Sequence, residues 1–282
     1  MPATLAANDY GKCAVRLVKV VRDGARHHLH DLTVDIRCEG DFAAAHIAGD
    51  NSAVLPTDTM KNTVYALGRQ HDVDPPDAFA AVVAAHLLGA SAAARTVTVE
   101  IAQHAWTRLA VGGRPCDTAF EHGSAEVRVA SATASRGEAP AAAAGLRELV
   151  VLRSAGSAFS GFPRDRYTTL KETRDRIFAT AVSARWLYEG TPKDFNSAFE
   201  SARNALTSTF ATSPSESVQH TLYAMGDAAL AACPEMTEIR LSLTNKHHLL
   251  VDLTPFGLDN PNEIFVATTE PYGLIEATLR RA

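Results

Sequence analysis

Strict alternation of apolar and polar side chains, repeated in widely separated segments, most limits what this chain can fold into. In HDLTVDIRC (30–38), Leu32, Val34, Ile36 and Cys38 fall on one side of an extended chain, and Thr33, Asp35 and Arg37 on the other. RTVTVEI (95–101) groups Val97, Val99 and Ile101 in the same way. EIRLSLTNKHHLLVDL (238–253) groups Ile239, Leu241 and Leu243 before the pattern breaks at the polar Asn245-Lys246-His247. AVRLVKVVRD (14–23), AEVRVAS (125–131), GLRELVVLRS (145–154) and EIFVATTE (263–270) are further strand candidates. One polar face per strand is what an antiparallel sheet has when it is covered on one side only.

Helical spacing separates these strands. PPDAFAAVVAAHLLG (75–89) opens on prolines and an aspartate cap, with Phe79, Val82, Val83, His86 and Leu87 on one stripe. DFNSAFESARNALTSTF (194–210) has Asp194 as its cap and turns Phe195, Phe199, Ala202 and Leu206 inward. SPSESVQHTLYAMGDAALAAC (213–233) repeats Val218, Leu222, Met225 and Ala229 at three- and four-residue intervals. The order is strand, strand, helices, strand, strand, twice over. SATASRGEAPAAAAG (131–145) has the composition of a linker between the two passes. We therefore expect an α+β protein of two tandem domains, 1–138 and 139–282, with helices on one face of each antiparallel sheet. Exposed sheet edges favour assembly of several chains.

The 282 residues are 46% hydrophobic and 21% charged, with a formal net charge of -5, so neither disorder nor a basic nucleic-acid surface is indicated. Four dispersed cysteines, Cys13, Cys38, Cys116 and Cys233, form no C-x-x-C pair. The start, MPATLAANDYGK, lacks the apolar stretch of a signal peptide, and no run approaches the roughly 20 apolar residues of a membrane span. The end, Leu279-Arg280-Arg281-Ala282, is not a peroxisomal address, so a reducing cytoplasm is the expected location. No dinucleotide fingerprint, phosphate loop, nucleophile elbow or H-E-x-x-H helix is present, and no cofactor is expected.

Chemistry then rests on a few polar runs. In TDTMKNTVY (57–65), Thr57 or Asp58 can cap a helix, whose first amide groups also attract anions. In FSGFPRDRYTTLKETRDRIF (159–178), Phe159 can stack on a flat ring or close a small core with Phe162. Arg176 reads either as a helical partner of Glu172 or as a planar fork for a carbonyl or anionic nitrogen. His247 and His248, as strand neighbours, point apart and cannot chelate one ion. His27, His28 and His30 suggest zinc, but they also suit an edge strand beside Arg26 and Asp31, and no fourth ligand is in register.

YGKCAVRLVKV (10–20), GDNSAVLPTDTMKNTVY (49–65), FSGFPRDRYTTLKETRDRI (159–177), SVQHTLYAM (217–225), LTNKHHLLVDL (243–253) and PYGLIEATL (271–279) together resemble the urate oxidase (uricase) family, in order and at its spacing. The resemblance implies tandem tunnelling-fold (T-fold) domains and a homotetramer forming a tunnel-like barrel. It implies cofactor-free oxidation of urate by dioxygen and water to 5-hydroxyisourate and hydrogen peroxide, in purine breakdown. By the same resemblance, Phe159 stacks on the purine while Arg176, the Val218 backbone and Gln219 hold one edge. Thr57 and the Asp58 amide meet the far edge, and Asn245 with Thr57 faces the oxygen and water position. Lys12, Thr57 and His247 form the proton relay, with Lys12, Thr57 and Asp58 reaching the site from a neighbouring chain.

Period-two geometry puts Asn245 and His247 on one face and Lys246 on the other, so Lys246 is expected to be structural. Met60 stands where the family often has a polar residue, and Arg174 where some members have an aromatic one. The alternatives are a zinc-dependent pterin or purine enzyme using His27, His28 and His30, and a purine-binding protein with a dead site.

Overall fold

The computed structural model describes residues 3–281; Ala282, the last residue of the C-terminal run discussed above, lies outside them, as do the first two residues of the N-terminal run. Two compact units divide the chain, one holding residues up to Gly145 with Leu187–Ser197, the other Leu146–Trp186 and Ala198 onward. The architecture is α+β, with antiparallel strands and few helices.

In the first unit, β1 (Asp9–Asp23), β2 (Arg26–Gly40), β3 (Ala94–Val111) and β4 (Arg114–Ser135) lie side by side in that order. α1 (Ala43–Ile47), α2 (Thr57–Gln70) and α3 (Pro76–Ala90) are inserted between β2 and β3. The alternating residues meet as expected: Leu32, Val34, Val97, Val99 and Ile101 are fully buried, packed with Met60, Val64, Phe79, Val83 and Leu87 of the helices. Burying each such side chain contributes about 1.5–3 kcal/mol before ordering costs are subtracted. Met60 belongs to this core, which accounts for an apolar residue there.

Two details of α3 depart from the sequence reading. Pro75 occupies the cap position and Asp77 caps nothing; it is buried against Arg128 instead. His86 is exposed; Ala80 and Ala84 complete the inward stripe with Phe79, Val83 and Leu87, and Val82 packs half-buried against the same core. The stretch 131–145 is not a linker. β4 runs to Ser135 and β5 (Ala141–Arg153) begins after a short turn, with Ala132, Ala134, Ala143 and Ala144 buried. Its small residues reflect close packing rather than freedom.

In the second unit, β5, β6 (Phe178–Tyr188), β7 (Met236–Lys246) and β10 (Leu274–Arg280) lie in that order. α4 (Phe195–Thr212) and α5 (Val218–Ala232) are inserted between β6 and β7, and the short strands β8 (His248–Leu250) and β9 (Phe265–Ala267) pair with each other. Asp194 does cap α4, accepting the amides of Asn196 at 2.9 Å and Ser197 at 3.1 Å. Ile239, Leu241 and Leu243 are fully buried, as are Leu206 and Ala229, with Leu222 and Met225 close to it. Trp186 lies on Phe199 with ring centroids 5.9 Å apart. No helix among the described residues is long and apolar enough to cross a membrane.

Arg128 fastens the returning segment Leu187–Ser197 into the first unit. Its guanidinium donates to Asp77 Oδ2 at 2.6 Å, to Asn196 Oδ1 at 2.5 Å and to the Phe195 carbonyl at 3.4 Å. Burial pushes the Asp77 carboxyl above its ordinary value, while the Arg128 charge pulls it back. Removing one partner of a buried pair strands the other, at about 3–5 kcal/mol. Arg128→Met should therefore lower the unfolding free energy by about that amount in urea denaturation, more than Arg240→Met at the exposed pair with Glu276.

Candidate active site

In the first unit the polar run begins at a defect in the sheet. Gly11 lies so close to β2 that a Cβ there would stand 1.8 Å from the Ile36 carbonyl oxygen. Immediately after, the β1–β2 register slips between Lys12 and Val15, and Ala14 adopts φ 56°, a left-handed conformation unusual for a side chain with a Cβ. The Ala14 amide donates to Asp35 Oδ1 at 2.6 Å instead of to the ladder. Lys12 is paired with Ile36, whose side chain is buried on the helix-covered face, so Lys12 shares that face.

Thr57 and Asp58 open α2, but neither caps it. Pro56 holds the cap position with no side-chain bond, and Thr57 is the first helical residue. Pro56 carries no side-chain acceptor, so the first-turn amides of α2 are left without a side-chain cap. Asp58 turns its carboxylate to Lys61 and, at 3.0 Å, to the Asn62 amide. The Lys61 hydrogen bond and charge hold the Asp58 carboxyl below its ordinary value, with Asn62 and the charge of Lys12 adding to the effect. Lys12 and the start of α2 are thus electrostatic neighbours. Tyr10 links them: its hydroxyl accepts the Leu55 amide at 3.0 Å, and its ring packs edge-on against Phe42 at 4.7 Å. Nothing in the sequence marks Tyr10, because its role is a contact 45 residues away.

In the second unit a cavity of about 190 Å³ gathers Phe159, Arg176, Asn245 and His247, together with Lys171, Thr173, Lys246 and His248. The stretch 159–177 is irregular rather than helical, so Arg176 has no helical ion pair with Glu172. Gly161, at φ 72°, and Pro163 bend the chain back on itself. Phe159 and Thr173 then exchange backbone hydrogen bonds at 2.8 and 3.0 Å. That pairing brings Arg176 under the ring, its guanidinium carbon 5.4 Å from the Phe159 centroid. The Arg176 Nε is buried without a partner, and burial lowers the pKa of the guanidinium. Phe159 also stacks on Phe162 at 4.9 Å with planes 15° apart, the small aromatic core that the sequence allowed.

β7 ends at Lys246, and the chain passes through His247 outside any strand before β8. The Asn245 amide donates to the Gly273 carbonyl at 2.8 Å and the His247 carbonyl accepts from Thr268 at 2.9 Å. With the ladder interrupted there, strict alternation lapses, and Lys246 lines the cavity beside Asn245 and His247. Val218 and Gln219 do not line this cavity; they form the first turn of α5, capped by Ser217, which accepts the His220 amide at 3.0 Å. Arg174 is exposed. The zinc alternative gains nothing: among the described residues no three His, Cys, Asp or Glu side chains are placed to hold an ion.

The uricase family model matches residues 8–135 and 142–276. The chain belongs to the uricase family. It is 48% identical over 277 residues to a uricase of Arthrobacter globiformis, covering 98% of this chain and 90% of that one. A uricase of Emericella nidulans is 36% identical, covering 99% of this chain and 98% of its own. The crystal structure of the Arthrobacter globiformis uricase superimposes with a TM-score of 0.94 at 47% identity, covering all of this chain and 96% of that one.

The close approach at Gly11 yields a direct test. Gly11→Ala must push β1 off Ile36 and drag Lys12 with it. We expect activity to fall at least about 100-fold, as a misplacement near 1 Å produces, with a lowered thermal midpoint. Gly89→Ala is the control, a helical glycine in α3 with open space around its Cβ and no left-handed φ.

Proposed function

We propose that this chain is a urate oxidase, acting on urate and dioxygen without a cofactor. The observation that carries the reading is Arg176: a half-buried guanidinium, its Nε unpartnered, set beneath an aromatic ring in a cavity that also holds Asn245 and His247. A buried, unsatisfied fork is costly unless a ligand completes it. A planar anionic purine supplies a face for Phe159 and an edge for Arg176.

In this reading urate stacks on the Phe159 ring, with Arg176, Gln219 and the Val218 amide on one edge. Thr57 and the Asp58 amide, at the positive end of α2, meet the opposite edge. Lys12 takes a proton through Thr57 and His247, leaving an electron-rich anion. Dioxygen, near Asn245 and Thr57, accepts two electrons from the ring and forms a hydroperoxide on it. Hydrogen peroxide departs and water adds in its place, so urate, dioxygen and water give 5-hydroxyisourate and hydrogen peroxide.

The candidate residues form two groups, Lys12, Thr57 and Asp58 in the first unit and the others in the second. We infer that each site is completed by a neighbouring chain in a homotetramer whose sheets close into a barrel. The tandem T-fold boundary is placed between 138 and 139, in the turn between β4 and β5. A cytoplasmic location is part of the same proposal.

Loss of urate absorbance with stoichiometric peroxide, unaffected by thorough chelation, is the expected result. Lys12→Met should lower kcat by about 100-fold or more, the usual range for a lost proton-transfer group, while urate still binds under anaerobic conditions. Unchanged turnover in Lys12→Met would remove the relay; absence of urate consumption by the native protein would remove the function.

A further inference from the structure

Beneath the Phe159 loop lies a chain of buried hydroxyls that the proposed relay does not use. Ser157 is 0% exposed, Ser215 3% and Thr221 1%. Ser157 Oγ and Ser215 Oγ are 3.1 Å apart, and Thr221 Oγ1 lies 2.9 Å from Ser215 Oγ and 3.1 Å from the Ser217 carbonyl. The backbone runs parallel to this chain: Ser157 and Ser215 form a bridge, and the Ala158 amide donates to the Ser215 carbonyl at 2.7 Å. Ser157 is two residues before Phe159, and Ser215 is three before Val218, so the hydroxyls join the segment that carries the stacking face of the proposed site to the segment that carries one of its edges.

Apolar side chains of similar size would fill this space at no loss of burial. Hydrogen bonds differ from apolar contacts in fixing the separation of their partners within a few tenths of an ångström, and a fully satisfied buried network selects one arrangement. We infer that Ser215 and Thr221 are positioning residues: they set the distance between the Phe159 ring and the first turn of α5, where Val218 and Gln219 meet the substrate. The inference rests on the assignment of Phe159, Arg176 and Gln219 to the urate site.

The test compares Thr221→Val, which keeps the shape and loses the hydroxyl, with Thr221→Ser, which keeps it; Ser215→Ala breaks the same chain independently if Thr221→Val does not fold. Anaerobic urate binding and steady-state kinetics are measured with the thermal midpoint. Thr221→Val should raise the urate Kd and KM about tenfold with a smaller change in kcat, as expected when an interaction common to ground and transition states is lost. Thr221→Ser should return both to within about twofold of the native protein. A lowered midpoint with unchanged Kd and KM in Thr221→Val makes the network purely structural and overturns the inference. Arg176→Ala is run alongside: if it leaves urate affinity unchanged, the site assignment itself fails, a result distinct from failure of Thr221→Val alone.

Discussion

Each sheet of this protein buries one face, and that constraint orders everything else. Alternation along β2, β3 and β7 sends Val34, Val99, Leu241 and their neighbours under the helices and leaves charges on the opposite side. A regular ladder of this kind has no spare donors and no freedom to aim a side chain. The residues proposed for the site are accordingly found where the ladder is broken: Lys12 at a register slip, Thr57 at a helix start, Phe159 and Arg176 in an irregular loop, His247 between two strands. The breaks are held as firmly as the regular parts, by Asp35 on the Ala14 amide, Tyr10 on the Leu55 amide and Thr268 on the His247 carbonyl.

What could be read from the sequence follows the same division. Strands with a clean period of two and helices with a clean apolar stripe were legible, because burial of one face is a local pattern with a global cause. Asp194 was legible as a cap because its acceptor and the amides it serves are neighbours in sequence. Errors came where a distant partner decided the outcome. Asp77 has the chemistry of a cap, yet the guanidinium of Arg128, 51 residues away, takes its carboxylate. Alanine-rich 131–145 has a linker's composition, yet close packing makes most of it strand. Arg176 follows a charged run spaced like a helix, yet the Phe159–Thr173 pairing extends the chain.

The proposed site residues could be picked out of the sequence mainly as a set. Taken singly, Thr57, Phe159 and Arg176 each had an ordinary structural reading, and physics favoured none of the functional ones. Six runs in family order supplied the decision, and the structure adds geometry that no run contains. It places Phe159 and Arg176 against each other, brings Lys12 within electrostatic reach of Asp58, and brings Lys246 into the cavity wall.

That electrostatic arrangement bears on how a site built for an anion handles its own charge. Lys61 engages the Asp58 carboxylate, which would otherwise stand at the helix start where a substrate's negative edge has to approach. With the carboxylate turned away and neutralised, the backbone amides of the first turn keep their partial positive charge for the ligand. On the other wall, burial makes the Arg176 charge more costly and therefore more responsive to an incoming anion. Each of these two groups thus offers positive charge to an anion within its own unit.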